Sequence, residues 1–277
     1  MGAGAGTAPV SMPHILLTRF NVASPGREVA VRNTPGWLER RFDLFERYCL
    51  PSVAANGAHD FTWLIYFDEA TPAAFRARIE AARRVHPFVP RFVGMLDKVQ
   101  VVAEVRRHLP RGATRLLTTR LDNDDAIASD YLARCAHVAE GLEDGTVINF
   151  LHGAALARGR LFDARDASNP FCSLVEAKAG LRTVWAVPHD RLGAEFRILQ
   201  VAAPPSWLQV VHGDNVTNRI KGRQLADTAI AGRFAIADRA AIRPAGTAEL
   251  LLDRAVLHPW RRLRECLVRA GKRLLRR

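Results

Sequence analysis

From about residue 14 to residue 141, apolar runs of strand length alternate with stretches of helical periodicity, and this alternation constrains the fold most. His14 to Asn21 reads as a buried first strand. Trp37, Leu38, Phe42, Phe45, Tyr48 and Cys49 then recur at three- and four-residue steps, a helix expected to stop at Pro51. Phe61 to Phe67 reads as a second strand, and Thr71-Pro72 opens a helix with Phe75, Ile79 and Ala82 on one face, proline being suited to a first helical position. Phe88 to Val93 is a third strand and Val99 to Leu109 a helix. Ala113 to Leu121 is a fourth strand that runs straight into Asp122-Asn123-Asp124-Asp125, with Ala126 to Gly141 expected to be helical. Such alternation calls for a mostly parallel sheet with flanking helices, whose ligands bind outside the carboxyl ends of the strands.

The second half is less regular. Thr146 to Phe150 and Ala154 to Leu161 suggest a hairpin, with short strands at Thr183 to Val187 and Ser206 to Val211. The expected organisation is a disordered leader over 1–12, one α/β domain over 13–235 and a C-terminal extension over 236–277. At 48% hydrophobic residues the chain can bury a core, which excludes global disorder. Cys49, Cys135, Cys172 and Cys266 are isolated, so neither a zinc knuckle nor a disulfide framework is indicated. The first residues lack the basic and apolar regions of a signal peptide, and no apolar run is long enough to span a bilayer, so the cytosol is the expected location.

The segment Thr118 to Ala126 carries the chemistry. Three carboxylates in four positions repel one another unless solvent, a cation or paired bases neutralise them. A divalent cation does so economically, because Mg²⁺ and Mn²⁺ take carboxylate, phosphate and water oxygens. If the backbone is extended there, Asp122 and Asp124 point to one side and can share a metal. The alternative is a turn in which Asp125 caps the following helix. An EF-hand is excluded, since Ala126 and Ile127 occupy positions where that loop needs an oxygen ligand and a glycine.

Several segments in consistent order carry a resemblance: Leu17-Thr18-Arg19-Phe20-Asn21, Trp37-Leu38-Glu39-Arg40-Arg41-Phe42, Phe61-Thr62-Trp63-Leu64, Thr119-Arg120-Leu121-Asp122-Asn123-Asp124-Asp125 and Trp207-Leu208-Gln209-Val210-Val211-His212-Gly213-Asp214-Asn215. Over roughly residues 14 to 223 the chain resembles a rhamnosyltransferase family of bacteria, within the nucleotide-sugar glycosyltransferases of the GT-A fold. The resemblance implies a GT-A-like, Rossmann-like α/β domain. It implies Mn²⁺ or Mg²⁺ held by Asp122, Asp124 and His212, and a nucleotide-sugar donor contacted by Arg19, Asp122, Asp124 and Asp125. It also implies an acceptor that is a glycan or a lipid-linked glycan. Asn215 is a weaker candidate beside His212, and Arg120 is expected to pair with a carboxylate. Among Asp163, Asp166, Glu176 and Asp190, Glu176 is the favoured base, because Asn169 to Glu176 follows the metal motif as a turn-led, phenylalanine-bearing segment.

The formal charge of +12 is concentrated at one end. Residues 254–277 hold nine basic residues against Glu265 alone, which leaves only +4 on the rest of the chain. Trp260, Leu263, Leu267, Ala270 and Leu274 repeat at helical steps, giving a basic amphipathic helix of the kind that lies on anionic membranes. Packing of that stripe on the body, or a solvated tail, would use the same sequence differently. Nucleic-acid binding is the non-enzymatic alternative, but no recognised nucleic-acid motif is present and no such partner is expected. A metal-dependent nucleotidyl- or phosphotransferase is the enzymatic alternative, as it would use the same carboxylates.

Overall fold

The computed structural model describes residues 12–23, 32, 34–213, 220 and 222–274. All of the expected leader except Met12 lies outside the described residues, as does Asn215. The main sheet contains β1 (His14–Arg19), β2 (Thr62–Asp68), β3 (Val89–Val93), β4 (Arg115–Arg120), β6 (Thr146–Phe150), β9 (Ser173–Ala177) and β10 (Arg197–Val201). Its order is β10-β6-β9-β4-β1-β2-β3, and only β9 runs antiparallel to its neighbours. A smaller sheet, β5-β11-β7-β8, is built from β5 (Ala126–Ile127), β7 (His152–Ala157), β8 (Arg160–Arg165) and β11 (Trp207–Val211). The result is a mixed α/β fold with a large, mostly parallel sheet, as the alternation in sequence requires.

Strand alternation divides the core between the two faces of the sheet. Leu16, Trp63, Ile65, Phe67 and Leu117 face Phe42, Phe45, Val53, Ile79 and Tyr131, while Ile15, Leu17, Leu64, Tyr66 and Leu116 face Val101, Val105, Leu174 and Val184. These side chains are almost wholly buried, each contributing about 1.5–3 kcal/mol. The helices are α1 (Trp37–Leu44), α2 (Leu50–Ala54), α3 (Ala73–Val85), α4 (Lys98–Arg107), α5 (Tyr131–Ala139), α6 (Thr247–Leu252) and α7 (His258–Leu274). Main-cluster packing continues past 235 through Ile236 and Ile242.

Four expectations about elements need correction. Pro51 does not stop the first helix: α1 passes through a π-helical turn (Phe45–Cys49) into α2, with Pro51 in its first turn. The carbonyl of Arg47, which a residue at 51 would normally serve, accepts the Ala237 N–H instead (2.8 Å), so the missing donor leaves no orphan. Ala126 and Ile127 are not helical but pair as β5 with Leu208 and Trp207, and α5 begins only at Tyr131. A short apolar run serves either role, and here an edge of the second sheet claims it. The hairpin is β7–β8, turning at Arg158-Gly159, where both residues have positive φ; β6 belongs to the other sheet. Thr183 to Ala186 is a turn rather than a strand.

One glycine is dictated by packing. A Cβ on Gly153 would lie 2.1 Å from the Trp207 ring, which stacks on Phe171 and donates its indole N–H to the Phe150 carbonyl (2.8 Å). This close approach seats β11 beside β7, and β11 delivers His212 to the carboxyl end of β4.

Candidate active site

After Arg120 the chain leaves β4 and turns, with the Asp125 N–H donating to the Asp122 carbonyl (3.3 Å). Asn123 moors this turn to β1, its amide donating to the carbonyls of Arg19 (3.2 Å) and Phe20 (2.7 Å). On the other side, the Val210 N–H donates to Asp125 Oδ1 (2.8 Å), which ties the turn to β11. The loop is thus held between the ends of three strands.

Each carboxylate has a different environment. Asp122 accepts two hydrogen bonds from Arg120 Nη2 (2.9 and 3.0 Å), confirming the expected pairing of Arg120 with an acid, and it is partly open to solvent. Asp124 is buried, with Arg41 Nη1 at 2.6 Å and His212 Nε2 at 2.9 Å from Oδ2. Burial opposes its charge, but Arg41 and His212 outweigh it and hold the carboxyl down at about 2. Asp125 is 0% exposed, and among the described residues its Oδ2 has no hydrogen-bond partner. Burial, with the charges of Asp124 and Asp122 beside it, pushes this carboxyl well above the usual range. The field reaches Cys49 in the π-turn, whose thiol is raised by burial and then by the three acids.

The structure brings some of the expected site residues together and not others. Asp124 and His212, far apart in sequence, come together, and Arg19 stands at the carboxyl end of the neighbouring β1. Asp122 does not share their point: the backbone has turned, so strand alternation no longer aims it with Asp124. Among the described residues no group of three or more histidine, cysteine or acidic side chains gathers as a metal site. Asp125 does not cap a helix; it braces β11.

Glu176 is not brought to the cluster. β9 runs antiparallel to β4, with Ser173 opposite Thr119 and Glu176 opposite Leu116. The segment enters at the acidic end and has left it by Glu176, about 20 Å away at roughly 3.3 Å per residue. Its carboxylate accepts the N–H groups of Arg182 and Thr183 (both 2.9 Å), an internal brace, and burial raises it to about 7 despite those bonds.

Three residues beside the acidic turn were assigned nothing in the sequence. Arg41 was given no role of its own in the sequence, and only the fold aims it at Asp124. Asn123 was given no role of its own either. His189 hydrogen-bonds through Nδ1 to the Ser168 carbonyl (2.7 Å), so Nδ1 carries the proton and Nε2 keeps its lone pair. Burial, then the Arg120 charge, lowers its affinity for a second proton, with Asp122 near enough to oppose them.

A family model described as "Putative rhamnosyl transferase" matches residues 13–224. No curated protein matches the chain. Solved structures similar to it include S. aureus TarS 1-349, at 10% identity and TM-score 0.40 over 72% of this chain and 60% of that one. A "putative nucleotide-diphospho-sugar transferase" from Desulfovibrio desulfuricans G20 matches at 14% identity and TM-score 0.39, over 75% and 84% of the two chains. The inositol-1-phosphate CTP transferase from T. maritima matches at 10% identity and TM-score 0.37, over 72% and 89%. The chain spans only 60% of the TarS fragment, and likenesses at this level assign no activity. The family match covers most of the chain, from before β1 to beyond β11, and by it the chain belongs to the rhamnosyl transferase family, a family of glycosyltransferases.

Proposed function

We propose that the protein is a metal-dependent glycosyltransferase that moves a sugar, rhamnose by the family's description, from a nucleotide-sugar donor to a hydroxyl of a glycan or lipid-linked acceptor. The observation that carries this reading is the 2.9 Å approach of His212 Nε2 to Asp124 Oδ2 beyond the carboxyl end of β4. A carboxylate oxygen and an imidazole nitrogen suit Mn²⁺ or Mg²⁺, with phosphate oxygens and water completing the shell. The buried Oδ2 of the adjoining Asp125, unpartnered among the described residues, fits a site built to face a cation. A divalent cation held by Asp124 and His212 would supply Lewis-acid stabilisation of the leaving diphosphate.

The remaining roles fall to the chain's own groups. Arg41 keeps Asp124 ionised and oriented, Arg120 fixes Asp122 toward the donor, and Arg19 is assigned to the donor's phosphates. Asn123 holds the turn against β1 so that these groups do not need to reorganise. With Glu176 remote, His189 is the assigned acceptor of the hydroxyl proton: its Nδ1–H is spent on Ser168, leaving Nε2 as a base.

The test is a screen of dTDP-, UDP- and GDP-sugars with and without Mn²⁺, following both sugar transfer and the nucleotide released. One donor should give metal-dependent release of a nucleoside diphosphate with transfer of its sugar. Release of a sugar 1-phosphate or a nucleoside monophosphate would instead make the protein a nucleotidyl- or phosphotransferase.

A further inference from the structure

The C-terminal helices sit the wrong way round for a soluble domain. An amphipathic helix normally turns its apolar stripe to the core. Here the contacts to the body are polar: the wholly buried Asp253, in the π-helical turn between α6 and α7, accepts from the Gln224 N–H (2.9 Å) and pairs with Arg261. Arg261 also donates to the Gly222 carbonyl (3.0 Å) and lies over the Phe162 ring. The apolar side faces solvent, with Leu252 53%, Val256 54%, Trp260 65%, Leu263 53% and Leu267 64% exposed. Leu251 is exposed beside them, so the stripe starts before the basic run recognised in sequence. Exposed Arg254, Arg262 and Arg264 flank it. An apolar row through a basic surface is complementary to an anionic bilayer, whose headgroups take the arginines and whose acyl boundary takes tryptophan and leucine. Nucleic acid would satisfy the arginines and leave the stripe in water.

The same helix borders the site. A cavity of about 550 Å³ opens between the β7–β8 hairpin and the helix, lined by Arg158, Phe162, His212, Asp253, Leu257 and Arg261. His212 of the candidate site and Leu257 of the C-terminal helical segment thus line one cavity. We propose that the helical segment from Thr247 to Leu274 is an interfacial anchor for an anionic bilayer, and that it sets the mouth of this cavity at the lipid surface, where the head of a lipid-linked acceptor enters. The acceptor clause rests on the glycosyl-transfer reading; the anchor does not.

The test uses full-length protein, with no donor and no turnover, so its outcome is independent of that reading. Flotation with phosphatidylcholine vesicles containing 30% phosphatidylglycerol should exceed flotation with phosphatidylcholine alone by tenfold or more. Leu263→Glu/Leu267→Glu should remove that excess without changing Tm, since both side chains are exposed. Equal flotation of the two proteins, or none by either, overturns the anchor. So does a lipid-free dimer that the double variant dissociates without any wild-type flotation, which would make the stripe a self-association surface. For the orientation, fluorophores on Cys266, on Arg158→Cys and on Val85→Cys, the last two made with Cys266→Ser, are exposed to nitroxide lipids. Quenching at 266 and 158 but not at 85 is expected. Quenching at 266 without 158 overturns the placement of the cavity.

Discussion

The turn Asp122–Asp125 and the helix ending at Leu274 depart from ordinary burial in opposite directions. The turn carries carboxylates into the interior, whereas the helix leaves a row of leucine, valine and tryptophan outside. The buried charge of Asp124 is balanced by groups from distant parts of the chain, Arg41 from α1 and His212 from beyond β11, while Arg120 pairs locally with the more open Asp122. The exposed stripe has no such counterweight among the described residues. A locked, desolvated cluster is what chemistry on a diphosphate requires, and an unmet apolar row is what a surface awaiting another phase looks like.

If that contrast is right, disturbing the balance at the turn is expensive and disturbing the stripe is cheap. Arg41→Met leaves Asp124 buried with His212 alone and should cost about 3 kcal/mol or more in stability, read by urea denaturation. A loss under about 1 kcal/mol would mean that the pair is solvated and the turn is not locked. Gly153→Ala should cost about 1–3 kcal/mol by driving a methyl into the Trp207 ring, and should weaken nucleotide binding by displacing His212.

Glu176 is a third case, a buried carboxylate with backbone N–H partners rather than an arginine. Because the fold raises it to about 7, the folded chain keeps a proton that the unfolded chain loses above about 4.5, so its contribution to stability falls as pH rises through that window and is level above it. Glu176→Gln should remove this decline, gaining about 1–2 kcal/mol relative to wild type between pH 5 and pH 7.5, and should leave transfer unchanged. A loss of transfer would return Glu176 to the chemistry. The smallest effect is expected for Leu263→Glu/Leu267→Glu, within about 0.5 kcal/mol in the absence of lipid. A larger loss would show that the stripe is already packed on something.

Much of this was legible in sequence because strand and helix periodicities differ. β1 to β4, α3, α4 and β11 fall close to where hydrophobic spacing puts them, and the acidic turn announced itself by its charge density. What was not legible depended on partners remote in the chain. Ala126 and Ile127 become β5 only because β11 lies alongside, and Pro51 is tolerated because Ala237 serves the carbonyl it leaves. The segment before Glu176 starts beside the acidic end of β4, yet strand direction, which sequence does not encode locally, carried Glu176 away from it and left His189 nearer the acids. Likewise the periodicity of α7 revealed a stripe but not which way it faced.

The central claim is that Asp124 and His212 together hold a divalent cation against a nucleoside diphosphate. Isothermal titration of dTDP, UDP and GDP, with and without Mn²⁺, into wild type, Asp124→Asn and His212→Ala tests it directly. Wild type should bind one nucleotide at least tenfold more tightly with Mn²⁺, and both variants should lose that metal-dependent gain while keeping a wild-type circular dichroism spectrum. Undiminished metal-dependent binding in Asp124→Asn would contradict the account.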